Sequence, residues 1–193
     1  MELPQTHIRN LRVVQDKNHL IEIMPRHAIV AEIGVDRGLF SREIVVTTHP
    51  QRLHLIDSWA PSRTGQPGRY GPASMDIVLA DFSADIASGG VYLNRGFSWD
   101  VLEEFQDEYF DWVYLDTSHK YDETARELAV CRLKMKPGGM ILGHDYTVGN
   151  FECSVRYGVI EAVNEFCVRH DWELLYLTNE SHRHLSYALR KTV

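Results

Sequence analysis

Apolar runs along the chain alternate with stretches of helical period, and several of the runs end on an acid or a glycine. Ala28 to Ala31 reads as a buried strand. The stretch Ala31-Glu32-Ile33-Gly34-Val35-Asp36-Arg37-Gly38 carries it through a glycine turn into a helix, Leu39 to Val45, that stops at Thr48-His49-Pro50. Arg52 to Asp57 predicts a second strand, Val91 to Asn94 a third, Phe110 to Asp116 a fourth and Met140 to Gly143 a fifth. Met75 to Ala87 predicts an amphipathic helix with Ile77, Val78, Ala80, Phe82 and Ile86, ended by Gly89-Gly90. Gly96 to Asp100 starts another helix. From Asp122 to Lys136, Ala125, Leu128, Cys131 and Met135 share one face, acids open the helix and bases close it, as its dipole favours. Thr147 to Ser154 reads as a loop, and Val155 to His170 as a helix striped by Val159, Val163 and Phe166. Trp172 to Leu177 and His184 to Leu189 are the last two strands, antiparallel because no helix intervenes to cross over. Ahead of all this, Asp16 caps a short helix through Ile21 and Ile23 that Met24-Pro25 ends, and Leu3 to Val14 carries little periodic signal.

Strands alternating with helices and closed by a hairpin predict an α/β, doubly wound sheet, mostly parallel, with one antiparallel strand near the C-terminus. The expected organisation is one domain over residues 1–193, with residues 1–27 as an N-terminal extension. Residues 59–74, which hold three of the seven prolines with Arg63, Arg69 and Tyr70, predict a lid loop over a ligand; the alternative is a solvated loop. At 193 residues and 44% hydrophobic, the chain fits one sizeable core. A net charge of -7 gives no footprint for nucleic acid or an anionic membrane, so neither is an expected partner. No apolar run has bilayer length and Met1 to Gln5 lacks a secretion pattern, which makes the cytoplasm the expected location. Cys131, Cys153 and Cys167 share no metal-ligand spacing and take no assigned chemistry.

In an open α/β sheet small ligands sit beyond the carboxyl ends of the strands. There Gly34 admits a ligand to the backbone, Gly38 lets the helix start close to the strand, and Glu32 supplies a carboxylate. Asp57 lies roughly twenty residues past the turn, the offset at which an acid meets ribose hydroxyls; a capping or turn aspartate is the alternative. The spacing is G-x-x-x-G, however, and Val35-Asp36-Arg37 puts bulk and a carboxylate where a dinucleotide fingerprint needs a second glycine. Ser98 reads as a helix cap or, between Phe97 and Trp99, as cover for a purine. Two polar clusters, Asp116 to Tyr121 and His144-Asp145-Tyr146, stand at two further strand ends.

Taken together, Glu32-x-Gly34-x-x-x-Gly38, Asp57, Gly96-x-Ser98, Asp116-x-x-His119 and Pro137-Gly138-Gly139 resemble the class I S-adenosylmethionine-dependent methyltransferases, in particular the macrocin O-methyltransferase-like small-molecule O-methyltransferases. The resemblance spans roughly Ala28 to Tyr146 and implies a Rossmann-like seven-stranded sheet. It implies that Glu32, Gly34, Val35 and Gly38 hold the methionine part of the cofactor, that Asp57 takes the ribose with Ser58 and Trp59 beside it, and that Gly96, Phe97 and Ser98 surround the adenine. Asp116 would join the cofactor site and, with Asp145 and His144, form a candidate site for a divalent ion such as magnesium. His119 would be the catalytic base, acting with Asp116. One departure stands out: metal-using relatives offer an adjacent acid pair after the fifth strand, where this chain has His144-Asp145, and an imidazole leans toward transition metals. The implied reaction is methyl transfer to a hydroxyl of a small molecule of sugar or natural-product type. Its rivals are a nicotinamide-dependent oxidoreductase, a metal-dependent hydrolase using the two polar clusters, and a cofactor-binding scaffold without activity.

Overall fold

The computed structural model describes residues 2–60, 71–150, 154–180 and 184–192. A 3-10 turn at Gln5–His7 leads to β1 (Arg12–Val14) and α1 (Lys17–Glu22), followed by β2 (Ile29–Ile33), α2 (Leu39–Thr48) and β3 (Arg52–Asp57). Next come α3 (Pro72–Asp81), α4 (Ser83–Ala87), β4 (Val91–Arg95), α5 (Ser98–Glu103), β5 (Phe110–Leu115), α6 (Tyr121–Lys134) and β6 (Met135–Gly143). The chain closes with a small ladder of β7 (Gly149–Asn150) and β8 (Val155–Arg156), then α7 (Val159–His170), β9 (Trp172–Thr178) and β10 (Tyr187–Lys191).

The main sheet runs β1-β9-β10-β6-β5-β2-β3-β4, with β10 antiparallel to both of its neighbours. The reversed strand is thus last in the chain and lies within the sheet. Eight strands take part where seven are expected, because β1 joins the edge parallel to β9, from Arg12 opposite Tyr176 to Val14 opposite Thr178. Arg12 and Val13 are exposed, so β1 has no apolar run; backbone pairing with β9 fixes it.

Other boundaries move for similar reasons. The helix expected from Met75 to Ala87 is two helices broken at Phe82, whose backbone leaves the helical region while its ring is buried. The last helix begins at Val159, since Val155 and Arg156 pair with Asn150 and Gly149 inside what reads as helix and loop. α6 ends at Lys134, and β6 starts at Met135, runs through Pro137-Gly138-Gly139 and shifts register against β5. The final strand starts at Tyr187, leaving His184 at the sheet's end. The Asp16 cap is present: its carboxylate accepts from the amides of Asn18 and His19 at 3.0 and 2.9 Å. Residues 61–70, the centre of the expected lid with Arg63, Arg69 and Tyr70, lie outside the described residues, as does Cys153.

Alternation along β5 divides the core. Val113 and Leu115 face a layer with Ile33, Ile141, Leu128 and Val163 under α6 and α7, while Trp112 and Tyr114 face Leu20, Val30, Ile44 and Leu142 under α1 and α2. Both faces are therefore covered, and the carboxyl ends of β2, β3, β5 and β6 are left to form a site. Among the described residues no helix is long and apolar enough to cross a membrane.

Candidate active site

The first strand end is built around an acid and two glycines. Glu32 is buried, accepts a hydrogen bond from the Ser41 hydroxyl, and burial pushes its carboxyl up to about 8. Gly34 has φ +91°, and a Cβ there would lie 1.8 Å from the Asp116 carbonyl. The bare backbone thus allows the close approach of β2 and β5. Gly38, at φ +75°, starts α2 and lies under Phe82 and Val78 of the α3–α4 segment.

Asp57, at the end of β3, draws this turn together. Its Oδ2 accepts from the amides of Val35 and Asp36 at 2.8 and 3.0 Å, and its Oδ1 from the Trp59 amide at 2.7 Å. Trp59 is buried and its indole donates to the Asp36 carbonyl at 3.0 Å, so the ring braces the turn from below. Ser58 accepts from the Ala60 amide at 3.2 Å. The Gly96 amide donates to the Asp57 carbonyl at 3.0 Å, and Phe97 is exposed with its ring stacked on Trp99 at 5.4 Å. Ser98 is the first residue of α5 and does not cap it. Its hydroxyl instead donates to Glu127 at 2.5 Å, and Thr117 donates to the other oxygen of the same carboxylate at 2.8 Å. Glu127 is buried, and burial raises its carboxyl to about 7. Sequence reasoning missed it: within α6 it occupies one position on an otherwise ordinary helix.

The second half of the site surrounds Asp145. Nδ1 of His119 lies 3.0 Å and Nδ1 of His144 3.2 Å from its Oδ2, and His184 donates to its Oδ1. Burial would raise the Asp145 carboxyl, but the hydrogen bond from His144 and the nearby imidazoles outweigh it and hold it below its ordinary value. An ionised carboxylate only accepts, so His119 carries its proton on Nδ1, and Nε2 is its acceptor nitrogen. For His144, burial works against protonation, yet Asp145 and Asp116 prevail and raise its pKa. Asp116 is raised by burial, with Asp145 adding to the shift and His144 opposing it. Asp116, His144 and Asp145 offer ligand atoms all within 4.8 Å of one another, the grouping expected from the sequence. His184 was not anticipated, since the run from His184 to Leu189 reads as strand.

A small, mostly polar recess lies between Thr117, His119, Glu127, His144 and Tyr187. Asp36 after β2, Trp59 after β3, His119 after β5 and Asp145 after β6 are held in left-handed backbone conformations, as are several residues in turns away from these strand ends. Such conformations cost free energy at non-glycine residues.

A methyltransferase-domain family profile matches residues 31–146, and the chain belongs to that family. Its large, mostly parallel sheet is the Rossmann-like fold of the S-adenosylmethionine-dependent methyltransferases. No curated protein matches it in sequence. Among solved structures, the pyocyanin biosynthetic protein PhzM is similar over 91% of this chain at 15% identity and a TM-score of 0.64, but the chain spans only 54% of PhzM. An O-methyltransferase from Bacillus cereus, in complex with SAH, aligns over 90% of this chain and 78% of its own at 15% identity and a TM-score of 0.63. The B. subtilis tRNA methyltransferase TrmK aligns over 93% and 67% at 9% identity and a TM-score of 0.62. The fold therefore serves both small and macromolecular substrates, and leaves the acceptor to be argued from the site.

Proposed function

We propose that this protein is an S-adenosylmethionine-dependent O-methyltransferase acting on a hydroxyl of a small molecule. The observation that carries this reading is the contact between two strand ends: Gly34 lets the cofactor turn touch the Asp116 carbonyl, and His119, aimed by Asp145, stands three residues further on. In this reading Glu32 and the turn from Gly34 through Val35 to Gly38 hold the amino-acid tail, and Asp57 faces the ribose with Ser58 and Trp59 shaping the wall. Gly96, Phe97 and Ser98 border the adenine. The bound cofactor supplies a methyl group already activated on a sulfonium.

The protein's part is alignment and proton removal. Holding a hydroxyl in line with the methyl is worth up to roughly 7–11 kcal/mol in well-oriented systems. As the hydroxyl oxygen bonds to the methyl carbon and the carbon–sulfur bond breaks toward sulfur, Nε2 of His119 takes the hydroxyl proton. Asp145 fixes the ring by accepting from its Nδ1, the relation that orients a catalytic histidine in other acyl- and proton-transfer sites. Asp116, His144 and Asp145 are also a donor set suited to a divalent cation, which would polarise the acceptor oxygen. The mixed oxygen and imidazole donors favour manganese or zinc over magnesium.

The net charge of -7 supports a non-polyanionic acceptor. The test is transfer of labelled methyl from S-adenosylmethionine to a panel of sugars and phenols and to bulk RNA, with and without a chelator. Methylation of a small hydroxyl compound, lost by about 10²- to 10⁴-fold in His119→Gln while SAH binding persists, is the expected result. Label entering only RNA, or full turnover by His119→Gln at neutral pH, would overturn the assignment.

A further inference from the structure

Glu127 lines the recess with His119 and His144, yet has no place among the residues that hold the cofactor or the candidate ion. It is buried on α6 beside Leu128 and one turn before Cys131, both of them core residues. Burying an acid costs free energy that an apolar side chain at the same place would avoid, so packing alone does not call for it. Among the described residues its partners are two hydroxyls and no cation. Those hydroxyls come from two different strand ends. Ser98, three residues past β4, opens α5 without capping it and donates to Oε1 at 2.5 Å. Thr117, two residues past β5, donates to Oε2 at 2.8 Å. The loop that begins there carries His119 and is held at other points too. Before Thr117, the Asp116 amide donates to the Ile33 carbonyl at 2.8 Å. After it, the Gly158 amide donates to the His119 carbonyl at 2.8 Å, and the Tyr157 ring packs 4.6 Å from the imidazole. The bond from Thr117 to Glu127 adds a link toward the β4 side of the cleft, which the other contacts do not reach.

We propose that Glu127 is a positioning residue whose two carboxyl oxygens clasp the start of α5 to the loop after β5, so that the wall at Ser98 and the loop carrying His119 keep one fixed separation. Breaking either bond opens the clasp, and the pocket between the two strand ends loses its set width. Because Ser98 borders the adenine in the S-adenosylmethionine reading, the role of Glu127 rests on that reading. Calorimetric titration of the whole chain with SAH tests both and separates them. Glu127→Met fills the space and removes both bonds, whereas Glu127→Gln keeps an acceptor and a donor for the two hydroxyls.

Loss of both bonds predicts that Glu127→Met binds SAH about tenfold more weakly than the parent protein, and Glu127→Gln should bind it within about twofold of the parent. Thr117→Val cuts one side of the clasp. It should weaken SAH binding by a similar factor in the parent and have no further effect in Glu127→Met, where the link is already gone. Parent-like affinity in Glu127→Met, an equal loss in Glu127→Gln, or an undiminished effect of Thr117→Val in the Glu127→Met background overturns the clasp and leaves the cofactor reading standing. Should Glu127→Met fail to fold, full SAH affinity in Thr117→Val alone overturns the clasp as well. Parent protein that takes up no SAH overturns both.

Discussion

At the scale of single residues, the site depends on carboxyl groups held in unequal states. Asp145 is kept ionised by three imidazoles, whereas Glu32 and Glu127 are pushed toward the neutral form by burial. Glu127 offers a direct check. Its carboxyl rises from 4.5 to about 7 in the fold. Below 4.5 it is protonated in both folded and unfolded chains. Between 4.5 and 7 the unfolded chain ionises first, so stability falls as pH rises through that window and levels off above it. The shift corresponds to about 3 kcal/mol. Glu127→Gln, which can still bond to Ser98 and Thr117, should therefore gain about that much stability over the parent between pH 4.5 and 8, read by urea denaturation at several pH values. Parallel curves would show that burial does not shift this group. Asp57 and Ser98 show how local reading reaches its limit. The sequence placed Asp57 at a strand end, yet its use of the Val35, Asp36 and Trp59 amides depends on the turn that it closes. Ser98 has the composition of a cap, but a buried acid on α6 claims its hydroxyl.

At the scale of elements, the strands rich in Val, Ile and Leu were legible because they are buried on both faces and leave continuous apolar runs. The short pieces were not. β1 and the β7–β8 ladder gain their order from partners distant in sequence or across a turn, with little burial of their own side chains. The glycine turn stands where the sequence places it, and Gly34 there makes room for the Asp116 carbonyl. Two substitutions separate collision from backbone strain. Gly138 also has positive φ, at +79°, but a Cβ there meets nothing within 4 Å, so Gly138→Ala should cost only about 1–2 kcal/mol. Gly34→Ala adds a clash with the β5 backbone and should cost clearly more while abolishing SAH binding, as measured by denaturation and calorimetry. Equal costs with binding intact would mean that the β2–β5 contact relaxes freely and does not set the site.

At the scale of the whole molecule, charge bears on which substrates the cleft accepts. A net charge of -7 is spread over a chain whose strand ends are themselves acidic. A polyanion approaching that edge meets repulsion that a neutral sugar or phenol does not. The same fold in TrmK shows that architecture alone does not exclude RNA, so the distinction has to come from the field. Salt dependence makes it measurable. If a nucleic acid were the substrate, neutralising several phosphates would make KM rise by orders of magnitude between 50 and 200 mM salt. For a small neutral acceptor bound beside His119, no phosphate-bound counterions are released and kcat/KM should change by less than about twofold across that range. Steady-state methyl transfer at four salt concentrations, with cofactor saturating, decides between them. A steep fall in kcat/KM carried by KM would count against the small-molecule reading even if weak methylation of a sugar had been seen, because it would identify the tighter, charge-driven partner as the one that the cleft is built to hold.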